Sequence, residues 1–177
     1  MSLNLVNLDD DNVRELMLQE FEADVVQGKV YLSDRLQAQS HETYINLMME
    51  AIKSGNSDSL ASKIQSQKIL KSIEIKRKPS GGTTTAKVPI TAHITLAEGE
   101  FNRFYLRGLC LKAIAHGKMI EIYRAKQVSQ PRRESIALIG KRLDPKKLLS
   151  DLRTNIGVDT ALRLPPGPNS GLSGHIV

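Results

Sequence analysis

The stretch Leu96–His116, LAEGEFNRFYLRGLCLKAIAH, decides the fold. It is the longest apolar segment of the chain. Ala97, Phe101, Phe104, Tyr105, Gly108, Leu111 and Ala115 recur at helical spacing on one face, while Leu106, Leu109 and Ile114 spread onto others. A helix that is apolar on several sides is surrounded by neighbours rather than laid on a surface. Thr95 and Glu98 match a capping box, in which each side chain satisfies an orphan backbone donor at a helix start. Gly108 in the interior costs about 1 kcal/mol against alanine, which is tolerable where a second helix crosses closely. Gly117 stops the segment. It is read as the central helix of a small bundle.

Upstream, three more helices are expected. Asp9 to Asp11 offer N-caps, and Val13, Leu16, Met17, Phe21 and Val25 share one face up to the stop at Gly28. The carboxylates of this helix are read as its wet face. Residues 29–33 read as a short strand or an extended link. Tyr44, Leu47, Met48, Ala51 and Ile52 line a helix after Ser40, and Leu60 and Ile64 a third from Ser57, whose end carries no clear signal. The period then drops to two: Ile73 and Ile75 alternate with Glu74 and Lys76, the mark of a half-buried strand. KRKPSGGTTTAK (76–87) reads as a basic hairpin loop, with Val88 to Ile94 as the returning strand.

Downstream, MIEIYRA (119–125) is a strand and residues 132–140 a short helix. Asp144-Pro145 opens a last helix, with Leu148, Leu149 and Leu152 inward. From Thr160 the composition shifts, and LRLPPGPNSGLSGHIV (162–177) is dense in proline and glycine. The fold expected is mainly α: a small helical bundle around a central helix (about 96–116), a short antiparallel β-hairpin or small sheet (about 72–94 and 119–125), and an extended C-terminal arm. The domain organisation is one mainly helical domain over 1–159, with the arm over 160–177. The arm is expected to be ordered only on a partner, so its deletion should leave a folded body.

The chain of 177 residues has 25 Lys plus Arg against 19 Asp plus Glu, and one cysteine. A single cysteine excludes an internal disulfide and a zinc site built on several thiolates. No apolar run reaches the roughly 18 residues of a membrane span. MSLNLVNLDDD lacks the basic and apolar regions of a secretory signal, so a soluble cytoplasmic chain is expected. The net charge of +6 is polarised along the chain. Residues 1–62 hold eleven acidic against four basic residues, whereas residues 63–87 hold seven basic residues against Glu74 alone. Such asymmetry suits a polyanion partner or head-to-tail contact between copies.

Candidate chemistry is sparse. Glu74-Ile75-Lys76, with Asp58 upstream, fits the minimal pattern of a metal-dependent nuclease, because carboxylates hold a divalent ion and a lysine assists water attack. Any mixed-charge strand yields the same pattern. The loop Ser80 to Lys87 lacks the spacing of a phosphate-binding loop. His41, His93, His116 and His175 fall on different elements without ligand spacing, and Cys110 reads as a buried small side chain. No metal or cofactor is therefore expected. Lys76, Arg77, Lys78, Lys87, Arg132, Arg133, Lys141 and Arg142 are candidate contacts to nucleic acid or an acidic partner. With no tryptophan and few other aromatics, stacking platforms for single strands are scarce.

Two stretches, LAEGEFNRFYLRG (Leu96 to Gly108) and LPPGPNSGLSG (Leu164 to Gly174), resemble those of small bacteriophage and prophage virion proteins. A helical body with a basic hairpin and an extended arm is also similar to head–tail adaptor proteins of the phage neck. The resemblance implies a ring of identical subunits between portal and tail, in the virion after assembly in the host cytoplasm, with no catalytic residue and no membrane contact. Its partners would be copies of itself, the portal and a tail-side neck protein, with DNA passing non-specifically. The arm would then bind through Leu164, Pro165, Pro166, Leu172, Ile176 and Val177. The alternatives are a basic nucleic-acid-binding protein and a metal-dependent nuclease using Asp58, Glu74 and Lys76.

Overall fold

The computed structural model describes residues 3–156 and 170–177. α1 (Asp11–Val26) opens where the Asp10 side chain accepts from the Asn12 and Val13 backbone N–H groups, and Gly28 follows with φ +64°. α2 (His41–Ser54) and α3 (Ser57–Ser66) are joined by a tight link, in which the Asn56 and Ser59 side chains cap each other's backbone. Arg14 of α1 donates to the carbonyls of Ile52 and Gly55, satisfying acceptors that the end of α2 leaves open. Residues 29–33 form no strand. Their segment runs on to Leu36, which makes an isolated bridge to Leu70.

α4 (Ala92–Ala115) is the central helix, packed against α1, α3 and the C-terminal α6 (Pro145–Thr154). Phe101, Phe104, Tyr105, Leu109 and Cys110 are buried to 2% exposure or less, which is the all-round burial its apolar pattern requires. At Gly108 a Cβ would lie 2.9 Å from Met17 N and from Val13 O, so α1 crosses there backbone to backbone. The helix starts earlier than Thr95. Ala92 N donates to Pro89 O, and the Thr95 hydroxyl donates to Thr91 O from inside the first turns. Glu98 pairs with Lys126 instead of capping the helix start.

The described residues form two small antiparallel sheets. β1 (Ile73–Arg77) and β2 (Thr83–Lys87) form a hairpin, with Ile73 opposite Lys87 and Arg77 opposite Thr83. The returning strand is therefore TTTAK, drawn from the basic loop, and Val88 to Ile94 instead leads into α4. The second sheet has the order β4-β3-β5, with β3 (Ile120–Arg124) between β4 (Arg142–Leu143) and β5 (Leu172–Ile176). α5 (Arg133–Ile136) is a single turn in the connection from β3 to β4.

β5 revises the reading of the C-terminal segment as an arm. Its five residues pair with β3 of the same chain, and Leu172 is 1% exposed. Asn102 of α4 donates to Leu172 O at 2.9 Å and Tyr105 donates to Gly174 O at 3.2 Å, so the central helix holds the strand's backbone directly. Glycine is needed for this fit. A Cβ at Gly174 would lie 2.5 Å from Ile120 Cγ2, and one at Gly171, where φ is +71°, would lie 2.6 Å from Lys126 O. The body of the domain thus includes residues 170–177.

The carboxylates of α1 are also not uniformly wet. Glu20 and Asp24 are buried against Arg107 of α4, itself 2% exposed. Arg107 holds Asp24 bidentately at 2.5 and 2.9 Å and donates through Nε to Glu20 at 2.7 Å, while its guanidinium lies 4.8 Å from the centre of the Phe104 ring. Arg153 of α6 reaches the same Glu20 carboxylate. Burial pushes the Glu20 carboxyl up, but hydrogen bonds from Arg153 and Arg107 outweigh it and hold it below its ordinary value. One ionic node thus joins three helices inside the bundle.

Candidate functional site

The hairpin is the part of the molecule that its own packing does not explain. Lys78 N donates to Gly82 O, with Gly81 and Gly82 at φ +89° and +78° to turn the chain, and Val88 N closes the base on Ser72 O. Among the described residues the hairpin makes no extensive contact with any helix or strand beyond its own two strands. The alternation that predicts a half-buried strand is present, but its apolar side faces water: Ile73 is 53% exposed and Ile75 76%. The covered side chain is Glu74. It accepts from Arg35 Nε at 2.6 Å and lies 3.2 Å from Lys76 Nζ. The Arg35 hydrogen bond, assisted by Lys76, holds the Glu74 carboxyl below its ordinary value.

At the root of the hairpin is a cleft of about 730 Å³, lined on one side by Tyr31, Ser33, Asp34 and Arg35 and on the other by Lys71, Ile73, Glu74 and Ile75. The Arg35–Glu74 pair ties the two sides together. The cleft mixes apolar and charged groups of both signs. It presents no convergent set of acid, base and nucleophile.

The basic candidates divide into two groups. Lys76, Arg77, Lys78 and Lys87 are exposed on the hairpin, and among the described residues Arg77, Lys78 and Lys87 form no ion pair. Arg132, Arg133 and Lys141 belong to the connection from β3 to β4, and Arg142 opens β4, where it pairs with Glu121 at 3.1 Å. Nearby, Arg124 donates to Ser170 O and to the Ser135 hydroxyl, and so ties this connection to the start of the β5 segment. Asp58 stands exposed in the first turn of α3, and Glu74 is engaged by two cations. Among the described residues no three His, Cys, Asp or Glu side chains gather as a metal site.

No protein-family model, curated protein or solved structure matches the chain. Among the described residues no helix is long and apolar enough to cross a membrane.

Of the residues expected to bind a partner through the arm, Leu164, Pro165 and Pro166 lie outside the described residues. Leu172 is spent on the domain's own core, Ile176 pairs with Ile120, and Val177 N donates to Met119 O. Those three are engaged within the chain because β3 needs a partner strand on that edge. Sequence reading found the hairpin but not its bare apolar side, since alternation shows that two sides differ and not which one the body covers. It missed the Arg107 node altogether. Its signal was Arg107, set between Phe104, Leu106 and Leu109 in the most apolar part of the helix.

Proposed function

We propose that the chain is a non-enzymatic structural subunit that assembles with copies of itself, in the manner of a head–tail adaptor ring set between the portal and tail of a bacteriophage. The observation that carries this reading is the hairpin, a basic ribbon with two exposed isoleucines that stands off a well-packed helical body. A two-stranded ribbon is marginal alone, and an exposed apolar side on it is the usual mark of a surface that another chain covers. The polarity of charge along the chain agrees, because unlike surfaces on sister copies favour a heterologous contact, which closes into a ring when the rotation permits. Copies would then assemble in the host cytoplasm before joining the virion, with the portal and a tail-side neck protein as neighbours.

The test is the oligomeric state of the full chain by native mass spectrometry, with negative-stain images of any closed species. A ring of defined subunit number is expected. A monomer at every accessible concentration, with no affinity for portal-type assemblies, would remove the reading. Arg77, Lys78 and Lys87, without ion pairs among the described residues, favour contact with passing duplex DNA as a second reading. That contact predicts an affinity falling linearly with salt on logarithmic axes.

A further inference from the structure

We propose that the hairpin of one copy seats on the exposed stripe of α1 of the next copy. This rests on the assembly reading above and supplies the two surfaces it needs. Directly opposite residues of an antiparallel pair share one side of the ribbon. The register therefore puts Ile73, Ile75 and Arg77 on the same side as Lys87, Thr85 and Thr83, leaving Glu74, Lys76, Thr84 and Ala86 on the other. The first side is an apolar centre with a cation at each end. No described residue of the chain's own body buries it, and its charges select an acidic counterpart with an apolar element.

α1 offers that counterpart. Asp11, Glu15, Glu22 and Val26 are exposed and follow each other at four, seven and four residues, which sets them along one side of the helix. Val26 is 87% exposed. Asp11, Glu15 and Glu22 form no ion pair among the described residues, whereas Glu20 and Asp24 on the opposite side are taken by Arg107. The stripe is thus the part of the acidic N-terminal third that remains for a partner. With Ile73 over Val26 and the ribbon running along α1 toward Asp11, Lys87 beside Ile73 lies one turn from Glu22, and Arg77, about 13 Å further on, falls near Glu15, about 16 Å from Val26. Because the hairpin and the stripe are different surfaces of one chain, the contact runs head to tail and propagates.

The experiment measures self-association of the full chain by sedimentation velocity, with thermal unfolding as a check on folding. R77E/K87E and E15K/E22K are each expected to weaken association by about a hundredfold, since like charges are brought together, and to leave unfolding unchanged. The quadruple variant, with acidic hairpin and basic stripe, is expected to regain most of the association. A native chain that stays monomeric removes the assembly reading, and this inference with it. A native oligomer that R77E/K87E leaves intact overturns the seating alone, and a loss of duplex DNA retention in that variant would assign the hairpin to phosphate contact instead. Failure of the quadruple variant to recover would overturn the pairing of these two surfaces.

Discussion

Replacing Arg107 by methionine tests the ionic node inside the bundle. The substitution keeps an unbranched stem beside Phe104 and removes the guanidinium that holds both Asp24 and Glu20. Glu20 retains Arg153, but Asp24, whose side chain is 10% exposed, loses both of its hydrogen bonds from Arg107. Removing one partner of a buried ion pair costs about 3–5 kcal/mol, because the other charge is left uncompensated. For a chain of this size each kcal/mol moves the melting temperature by about 2–4 °C, so Tm should fall by about 6–20 °C. The pH dependence gives a second signature. Arg107 is one of the two cations that hold Glu20 below its ordinary value, and stability from a lowered carboxyl is lost as pH falls, so the deficit of R107M relative to the parent should shrink from neutral pH to about pH 4. D24N added to R107M should recover part of the loss at neutral pH. Urea unfolding followed by circular dichroism at both pH values measures all three. A deficit under about 1 kcal/mol, or one that does not change on acidification, would refute the account of the node as a buried ion pair.

Burial pushes the Glu100 carboxyl above its ordinary value despite the Arg103 guanidinium at 3.3 Å. An acid whose folded pKa is raised loses stability as pH rises, so E100Q should gain relative to the parent between about pH 4 and neutral in paired melts. G108A should be destabilising by about 1–2 kcal/mol in denaturant titration. The roughly 1 kcal/mol of helix propensity gained is outweighed by a Cβ 2.9 Å from backbone atoms of α1. L172A should cost about 2–5 kcal/mol, and deletion of residues 170–177 more, as judged by unfolding midpoints; an unchanged midpoint would restore the arm reading. Cys110 is buried and its thiol is pushed up by that burial, so a thiol reagent should react with it only at the rate of unfolding.

How much was legible follows from where each signal sits. α1, α2, α6 and β3 carry periodic apolar residues with local start or stop residues, and they form where the sequence places them, whereas α4 ends as read but begins at Ala92, inside the stretch read as a returning strand. α3 lacks a stop signal because its chain reversal uses Lys68 at φ +52°, a position where glycine is the readable choice. Glu20 and Asp24 look wet because the arginine that buries them is more than eighty residues away. β5 was hidden by its glycines, which suggest a loose tail and in fact let the strand lie against α4. Of the candidate site, the hairpin and its cations were legible; the exposure of Ile73 and Ile75 was not, because burial is a property of the neighbours.

The Arg107 node also decides how the central helix can lie. Leucine and phenylalanine contacts tolerate sliding, and a slip of one turn along α1, about 5.4 Å, would still find grease to touch. A guanidinium that must meet both Glu20 and Asp24, themselves one turn apart, does not tolerate it, since the slip takes it off at least one of the two. The node works as a detent, giving up some stability relative to a wholly greasy contact and discarding the displaced arrangements. Every copy would therefore hold α1 and α4 at the same offset, the uniformity that the proposed ring of identical parts would demand.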